Sequence, residues 1–406
     1  FRVAEEEKPG PVLLELPEDI AAEKTSSLNL ITPHERYYAV AGDRVISEAA
    51  NAIKLAKKPL VLLGAGANRQ EARRAISEFI NLIGLPFCNT QMGKGVVDES
   101  SYFFLGTAAL SDKDYLHDYI QAADLIINIG HDVVEKPPFF MEHGGAKVVH
   151  VNYKSAQVDQ VYFPQIEVVG DIALSIDALG ALLEGKLSLD LKEFEKVRDM
   201  AKEKIFWLEE DVEFPMKPQR IVSEIRNQMG YHDIIALDNG VYKIWFARNY
   251  LAYQPNTILL DNALATMGAG LPSAMAAAMV HPNRKVMAIC GDGGFMMNSQ
   301  EVETAVRLGL NLIVLILNDN SFGMIRWKQA GMGFSDWGLE YNNPDFISYA
   351  ESYGAFGHRI KNVEGLGTTV ANAFHTGGVH LIDCPVDYSD NVKDLITDLA
   401  DHEPII

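Results

Sequence analysis

Hydrophobic and polar residues along the first half of the chain predict alternating strands and helices. Short apolar runs of strand length occur at 60–63, 125–129 and 147–151. Segments 44–57 and 72–83 carry apolar residues at the spacing of an amphipathic helix. Because strands that alternate with helices usually form a parallel sheet, this pattern predicts a βαβ domain over residues 41–185.

The same alternation resumes near residue 218, after a charged segment at 186–215 that predicts a helical connector. The segment 269–280, rich in Ala and Met, predicts a closely packed buried helix. The predicted fold class is therefore α/β, with two doubly wound parallel-sheet domains: a central, Rossmann-like domain and a C-terminal domain at 216–406. The other elements predicted in the second series are strands at 234–237, 285–289, 312–317 and 381–384 and a helix at 300–308.

The first 40 residues do not continue either series. Residues 10–20 predict one short buried strand that ends at Pro17, and residues 21–40 predict a polar linker. Since a single strand cannot bury both of its faces, we interpret residues 1–40 as the remnant of an N-terminal domain. The chain begins with Phe1, so we expect it to start inside a larger protein.

Composition narrows the classes of partner. The 406 residues carry 35 basic and 55 acidic side chains, a net charge of −20, so we expect no nucleic-acid partner. No apolar run approaches the roughly 18 residues of a membrane span, so we expect no membrane partner. The three scattered cysteines predict buried free thiols in a reducing compartment, and we expect a cytoplasmic protein.

Two aspartates follow neighbouring strands of the second series. Asp292 lies in the segment Gly291-Asp292-Gly293-Gly294 after one predicted strand, and Asp319 follows the next strand along the chain. Their separation, 319 − 292 = 27 positions, fits a βαβ unit of about 30 residues. Both carboxylates would then lie at the same edge of the sheet, where two like charges are costly unless a cation joins them.

Oxygen ligands at a compact site favour Mg²⁺, which usually shares its coordination shell with phosphate oxygens. The glycines would allow backbone N–H groups to approach those oxygens at the start of the following helix. The residues thus predict a metal-bound diphosphate site. The alternative is that Asp292 caps a helix and Asp319 belongs to a turn.

These motifs resemble the diphosphate motif of thiamine diphosphate-dependent enzymes. Other segments resemble the acetolactate synthase group in the same order, most closely its catabolic, FAD-free members. Residues 10–20 resemble the end of that group's N-terminal pyrimidine-binding domain. The further segments are DNGVYKIWFAR (238–248), LATMGAGLP (264–272), NPDF (343–346) and CPVDY (384–388).

The resemblance implies roles for individual residues. Asp292, Asp319 and the backbone carbonyl of Ser321 would bind Mg²⁺. Met267 would be the apolar wedge beneath the thiazolium ring, and the carbonyl of Ala265 would accept from the aminopyrimidine. Lys328, where relatives carry Trp or Gln, would lie on the substrate side, and we count it with Met267 as a catalytic candidate. The remaining implied cofactor-binding residues are Gly240, Val241, Tyr242, Gly291, Gly293, Gly294, Phe322, Gly323, Met324 and Ile325.

The resemblance also implies a reaction. We expect a thiamine diphosphate- and Mg²⁺-dependent carboligase that joins two pyruvates into acetolactate and CO₂. The alternatives are a 2-keto acid decarboxylase, a sulfoacetaldehyde acetyltransferase, or a non-catalytic module that binds diphosphate. We expect a small 2-keto acid as substrate and a homodimer or homotetramer as the assembly. Lys328 leaves the acceptor substrate open.

Two features of the group have no counterpart in this sequence. Relatives activate the aminopyrimidine with a glutamate on the N-terminal domain, and the early glutamates here lie outside any matching context. We therefore expect the chain as given to be inactive without that domain. The segment after the first strand, 64–69, lacks the third glycine of a dinucleotide fingerprint, so we expect no FAD.

Overall fold

The computed structural model describes residues 2–7, 9–26, 39–108, 110–111, 113–135 and 140–406. Within them the chain forms two α/β domains, each built on a six-stranded sheet in which all strands are parallel. The predicted fold class is confirmed. Parallel sheets are covered by helices on both faces, which explains the uninterrupted apolar runs seen in the sequence.

The prediction of a buried strand at 10–20 is wrong. Residues 11–17 have no regular secondary structure, and Leu13 and Leu14 are 92% and 85% exposed. An apolar run becomes a strand only where a neighbouring strand can pair with it, and none of the described residues does so here. Two short helices flank the run, α1 (Arg2–Glu5) and α2 (Glu18–Ala21). Of the predicted linker at 21–40, residues 27–38 lie outside the described residues.

The central domain follows the predicted alternation. Its strands are β1 (Pro59–Leu63), β2 (Phe87–Asn89), β3 (Phe104–Thr107), β4 (Leu125–Ile129), β5 (Lys147–Asn152) and β6 (Ile166–Val169). The helices are α3 (Asp43–Leu55), α4 (Gln70–Ile83), α5 (His117–Ala122) and α6 (Ile172–Leu183), with 3₁₀ turns at Ala65–Ala67 and Gln91–Gly93. The sheet has the strand order β3-β2-β1-β4-β5-β6, and α3, α4 and α6 form one helical layer against its buried side chains.

The charged connector is helical, as predicted, over α7 (Lys192–Ile205). Phe194, Val197 and Ala201 on one face of this helix are fully buried, so α7 packs onto the protein rather than bridging solvent. Phe194 and Val197 pack against the second face of the central sheet, which gives that sheet its second covering layer.

The strands of the C-terminal domain are β7 (Ile234–Leu237), β8 (Ile258–Leu260), β9 (Val286–Gly291), β10 (Leu312–Asn318), β11 (Phe356–Arg359) and β12 (Val379–Pro385). They form a sheet in the order β11-β12-β10-β9-β7-β8. Its helices are α8 (Pro218–Gln228), α9 (Tyr242–Asn249), α10 (Gly270–Val280), α11 (Asp292–Met297), α12 (Glu301–Arg307), α13 (Gly323–Gly331), α14 (Phe346–Ser352), α15 (Val363–Thr376) and α16 (Asp398–Ala400), with a π-helical turn at Lys393–Thr397.

The helix predicted to be buried, α10, is buried on one face only. Met279 and Val280 at its C-terminal end are 59% and 70% exposed. The three cysteines are buried and unpaired, as predicted. Among the described residues, every helix is too short or too polar to cross a lipid bilayer.

Candidate functional site

The two aspartates predicted to meet do lie at one edge of the C-terminal sheet. Strands β9 and β10 are direct neighbours, and Leu317 pairs with Gly291 in their register. Asp292 is the next residue after Gly291, and Asp319 comes two residues after Leu317. The carboxyl ends of parallel strands meet at one edge of a sheet, and this register brings the two carboxylates to the same place.

Asp292 is buried and held by three donors. Its Oδ1 accepts hydrogen bonds from the backbone N–H of Gly293 and the hydroxyl of Tyr341, both at 2.9 Å. Its Oδ2 accepts from the side-chain amide of Asn343 at 2.6 Å. Burial raises the pKa of Asp292, and these hydrogen bonds oppose the rise because they favour the ionised form. The carboxylate therefore has a fixed orientation before any ion binds.

Asp319 is affected by its neighbour. Burial, followed by the negative charge of Asp292, raises the pKa of Asp319 to about 7, and the nearby Arg326 opposes this rise. Such mutual repulsion is the expected behaviour of two carboxylates that share a site without a cation. A divalent ion between them would favour the ionised forms of both.

A cavity lies directly against these carboxylates. It is lined by the ends of β9 and β10, the start of α9, and the first turns of α11 and α13. Its lining residues are Asn239, Gly240, Val241, Tyr242, Met267, Gly291, Asp292, Gly293, Gly294, Leu317, Asp319, Ser321, Phe322, Gly323, Met324, Ile325 and Tyr388. Nearly all the implied cofactor-binding residues thus line one space.

Glycines form one wall of the cavity because larger residues would not fit. A Cβ on Gly293 would lie 2.6 Å from the hydroxyl of Tyr341 and 2.9 Å from the ring of Phe322. A Cβ on Gly294 would lie 2.2 Å from Oδ2 of Asp238. Backbone can therefore approach a ligand closely here, as a diphosphate requires.

Several buried polar atoms at the cavity have no partner within the described part of the chain. They are the hydroxyl oxygens of Ser321, Tyr242 and Tyr388. Unpaired buried polar atoms are costly, and a polar ligand in this space is one way to satisfy them. Together with the carboxylates and the glycine wall, this donor and acceptor set fits a metal-bound diphosphate.

The carboxylates alone are not a complete metal site. The described residues contain no cluster of three or more His, Cys, Asp or Glu side chains arranged to hold an ion. An ion at Asp292 and Asp319 would have to complete its shell with backbone carbonyl, water or phosphate oxygens, as Mg²⁺ commonly does.

The structure separates two of the predicted residues from the cavity. Ala265 is exposed and does not line it, although its backbone adopts the left-handed conformation with φ 49°. Lys328 is also exposed and lines a second cavity of about 660 Å³ instead. The two cavities share Met324, so Lys328 lies next to the first cavity rather than in it.

Other site residues were not predicted from the sequence. Asn239 and Tyr388 line the cavity. Both belong to segments quoted for the resemblance, and this membership was the sequence signal that could have identified them. Tyr341 and Asn343 reach Asp292 from a loop far along the chain. Asn343 also belongs to a segment quoted for the resemblance, but nothing in the spacing of either residue from Asp292 indicates the contact.

Two family descriptions match the chain. Residues 46–179 match "Thiamine pyrophosphate enzyme, central domain", and residues 238–384 match "Thiamine pyrophosphate enzyme, C-terminal TPP binding domain". The first match contains all six strands of the first sheet, and the second contains both aspartates and nearly all of the cavity lining. Thiamine pyrophosphate is another name for thiamine diphosphate.

Curated relatives resemble the chain over nearly its whole length. The acetolactate synthase of Bacillus subtilis is 31% identical over 97% of this chain and 70% of that protein. The catabolic acetolactate synthase of Raoultella terrigena is 32% identical over 96% of this chain and 71% of that protein. A probable acetolactate synthase large subunit of Methanococcus aeolicus is 28% identical over 96% and 69%.

Proposed function

We propose that this chain, which belongs to the acetolactate synthase group of thiamine diphosphate-dependent enzymes, uses Mg²⁺ and thiamine diphosphate to join two pyruvates into acetolactate with loss of CO₂. One observation carries the proposal. The buried carboxylate of Asp292 and the half-buried carboxylate of Asp319, at the ends of adjacent strands, border a glycine-walled cavity that holds nearly every residue the resemblance implies for cofactor binding.

In this proposal Asp292, Asp319 and the carbonyl of Ser321 hold the Mg²⁺ ion. The hydrogen bonds from Tyr341 and Asn343 keep the Asp292 carboxylate in one orientation, so little ordering is needed when the ion binds. The backbone at Gly293 and Gly294 would bind the diphosphate oxygens. These roles agree with the chemistry of the residues present.

When bound, thiamine diphosphate supplies the electron sink that allows a 2-keto acid to lose CO₂. The chain's own contribution is an apolar wall, formed by Met267, Phe322, Met324 and Ile325. Such a wall excludes water from the reacting carbon and disfavours charged species there. Met267 is the candidate for the wedge that fixes the shape of the cofactor.

The decisive experiment incubates the full-length protein with pyruvate, thiamine diphosphate and Mg²⁺ and measures acetolactate. We expect product from the wild-type protein and a loss of about a hundredfold or more from Asp292→Ala, because that change removes a metal ligand. Omission of Mg²⁺ in the presence of a chelator should have a similar effect. Turnover of another 2-keto acid without acetolactate would instead assign a decarboxylase.

The non-catalytic alternative makes a different prediction. A protein that binds Mg²⁺ and thiamine diphosphate but turns over none of pyruvate, other 2-keto acids and sulfoacetaldehyde would be a binding module.

We also propose that the working assembly is a homodimer or homotetramer and that it uses no FAD. Large apolar side chains of the C-terminal domain lie exposed, among them Leu264 at 87%, Trp337 at 84% and Met332 at 70%. Exposed apolar surface of this kind is typical of a contact with another chain. Light scattering on the purified protein measures the assembly, and its visible absorption spectrum would reveal bound flavin.

A further inference from the structure

We infer that Lys243 is a positioning residue. It holds the loop at residues 261–268, which carries Met267, against the residues that border the cofactor cavity. Lys243 is the second residue of α9 and is 9% exposed. It does not line the cavity. The inference rests on the proposed function, because it assigns a role toward the ring end of thiamine diphosphate.

The ammonium group of Lys243 joins two parts of the chain that meet at the cavity. It donates to Oδ1 of Asn239 at 2.9 Å, to Oδ1 of Asn262 at 3.1 Å, and to the backbone carbonyl of Asp261. Asn239 follows strand β7, whereas Asp261 and Asn262 begin the loop after β8. A lysine has three N–H donors, so these three oxygens use all of them.

Burial of the Lys243 ammonium group carries a free-energy cost, because the charge loses its contact with water. Burial of the Lys243 ammonium lowers its pKa, and the nearby carboxylates of Asp261 and Asp238 oppose the shift. A buried charge is retained where hydrogen bonds and opposite charge compensate for the loss of water. The hydrogen bonds that Lys243 makes to the two segments therefore explain why its ammonium group is buried rather than solvated.

The other end of the loop is fastened through Asn239. The side-chain amide of Asn239 donates to the carbonyl of Thr266 at 2.8 Å. The N–H of Thr266 donates to Oδ2 of Asp261 at 3.1 Å. Lys243, Asn239, Asp261 and Thr266 thus form a closed set of hydrogen bonds that ends one residue before Met267.

The loop depends on hydrogen bonds from other segments because several of its residues are exposed and one has a strained backbone. Residues 263–266 are exposed, and Ala265 adopts φ 49°, a left-handed conformation that is strained for a residue with a Cβ. Beyond Met267, the N–H groups of Gly268 and Ala269 are held separately by Oδ1 of Asp238, at 2.8 and 3.1 Å. Lys243 supports the first half of the loop, and Asp238 supports the second.

The test compares two probes in the full-length protein. Mg²⁺ with inorganic pyrophosphate reports on the diphosphate end of the site, and Mg²⁺ with thiamine diphosphate reports on the whole site. In Lys243→Met we expect thiamine diphosphate affinity to fall by about tenfold or more, because three oxygens that hold the loop lose their donor. Pyrophosphate affinity should change by less than about threefold, and kcat for acetolactate should fall more than KM for pyruvate rises.

Hydrogen exchange on the cofactor-free protein gives a second readout. In Lys243→Met the exchange of residues 261–266 should accelerate, while the amides of Gly268 and Ala269 keep the wild-type rate. Asn262→Asp retains an acceptor for Lys243 and is the matched control, expected to behave like the wild type. Asn262→Ala removes one acceptor and gives a smaller effect, which keeps the test available if Lys243→Met does not fold.

The outcomes separate the two proposals. If the wild-type protein binds thiamine diphosphate and Lys243→Met binds it equally well with unchanged loop exchange, the role of Lys243 is overturned and the function stands. Equal losses for both probes would show a general destabilisation and would also overturn it. If the wild-type protein binds pyrophosphate but not thiamine diphosphate, the proposed function fails, and the role toward the ring fails with it.

Discussion

At the scale of single residues, Asp319 is a side chain whose surroundings oppose its negative charge. Burial and the Asp292 carboxylate raise its pKa to about 7, so above that pH the ionised form is held at a cost in stability. A residue kept under such conditions is a candidate for function rather than for packing.

We expect Asp319→Asn to abolish ligand-induced stabilisation. With Mg²⁺ and pyrophosphate at about 100 times the dissociation constant, the wild-type protein should gain about 2.7 kcal/mol, seen as a higher thermal midpoint. The variant should gain almost nothing. In the presence of a chelator the variant should be at least as stable as the wild type, because it lacks the opposed charge. The same substitution at the exposed Asp401 is the control. If the ligands raised the thermal midpoint of Asp319→Asn as much as that of the wild type, the metal role of Asp319 would be contradicted.

Gly294 tests the glycine wall. We expect Gly294→Ala to lower stability by about 1–3 kcal/mol, because its Cβ would lie 2.2 Å from Asp238 Oδ2 and the neighbouring groups must move. Gly331→Ala is a matched change, since no atom lies within 4 Å of its added Cβ, and we expect it to be neutral or stabilising. Thermal midpoints of the two variants decide the matter. Equal midpoints would show that the wall has room for a side chain.

At the scale of elements, Glu135 joins three segments of the central domain. Its Oε2 accepts from the N–H of Ala65, just after β1, at 2.9 Å, and its Oε1 accepts from the hydroxyl of Thr90, just after β2. Glu135 is 2% exposed, and burial raises its pKa to about 7, although these hydrogen bonds oppose the rise. The folded protein therefore holds this proton more tightly than the unfolded chain does.

This shift predicts a pH dependence of known sign. Between the ordinary pKa of 4.5 and the folded value of about 7, the folded state binds more protons, so the stability contributed by Glu135 falls as pH rises. We expect Glu135→Gln, which resembles the protonated acid, to match the wild type near pH 5 and to exceed it by about 2–3 kcal/mol above pH 7. The difference between the two thermal midpoints, measured across that range, isolates the effect. A constant difference would contradict it.

The elements that could be predicted from sequence are those with long apolar runs or a clear helical period. The runs in β4, β5, β7 and β10 were located within one or two residues, because fully buried parallel strands leave an unbroken apolar signature. Strand β2 has only three residues, and β11 contains exposed Phe356 and Arg359 at the sheet edge, so neither produces a pattern.

The residues of the site also divide into those that could be predicted from sequence and those that could not. Asp292 and Asp319 were predictable because topology alone brings the ends of neighbouring strands together. The contacts of Tyr341 and Asn343 with Asp292 were not, because they depend on how a distant loop folds back onto the sheet edge. The resemblance implied that Lys328 lies on the substrate side of the cofactor. The direction in which a side chain on α13 points cannot be obtained from such a resemblance.

At the scale of the whole molecule, buried polar contacts join the two domains. The guanidinium of Arg248 on α9 lies 2.8 Å from the carboxylate of Asp114 in the central domain, and both side chains are about 5% exposed. Nearby, Glu99 of the central domain accepts from the N–H of Ala252 at 2.9 Å. These contacts connect the two domains through buried polar groups.

We expect Arg248→Met to cost about 3–5 kcal/mol, because it leaves the Asp114 carboxylate buried without its partner. Calorimetry should show the single unfolding transition separating into two, as the domains lose their coupling. The exposed pair Glu303 and Arg307 offers a control, since Arg307→Met should cost less than about 1 kcal/mol. Equal effects of the two changes would contradict the coupling.

The pairing of Leu317 with Gly291 has a consequence for changes in chain length. The spatial relation of the two carboxylates depends on adjacent strands and not on the helices α11 and α12 between them. An extra residue inserted at Gly309, where no neighbouring atom lies within 4 Å of a Cβ position, would be absorbed by the turn before β10. One extra residue within β10 would displace Asp319 to the opposite face of the sheet and separate the pair.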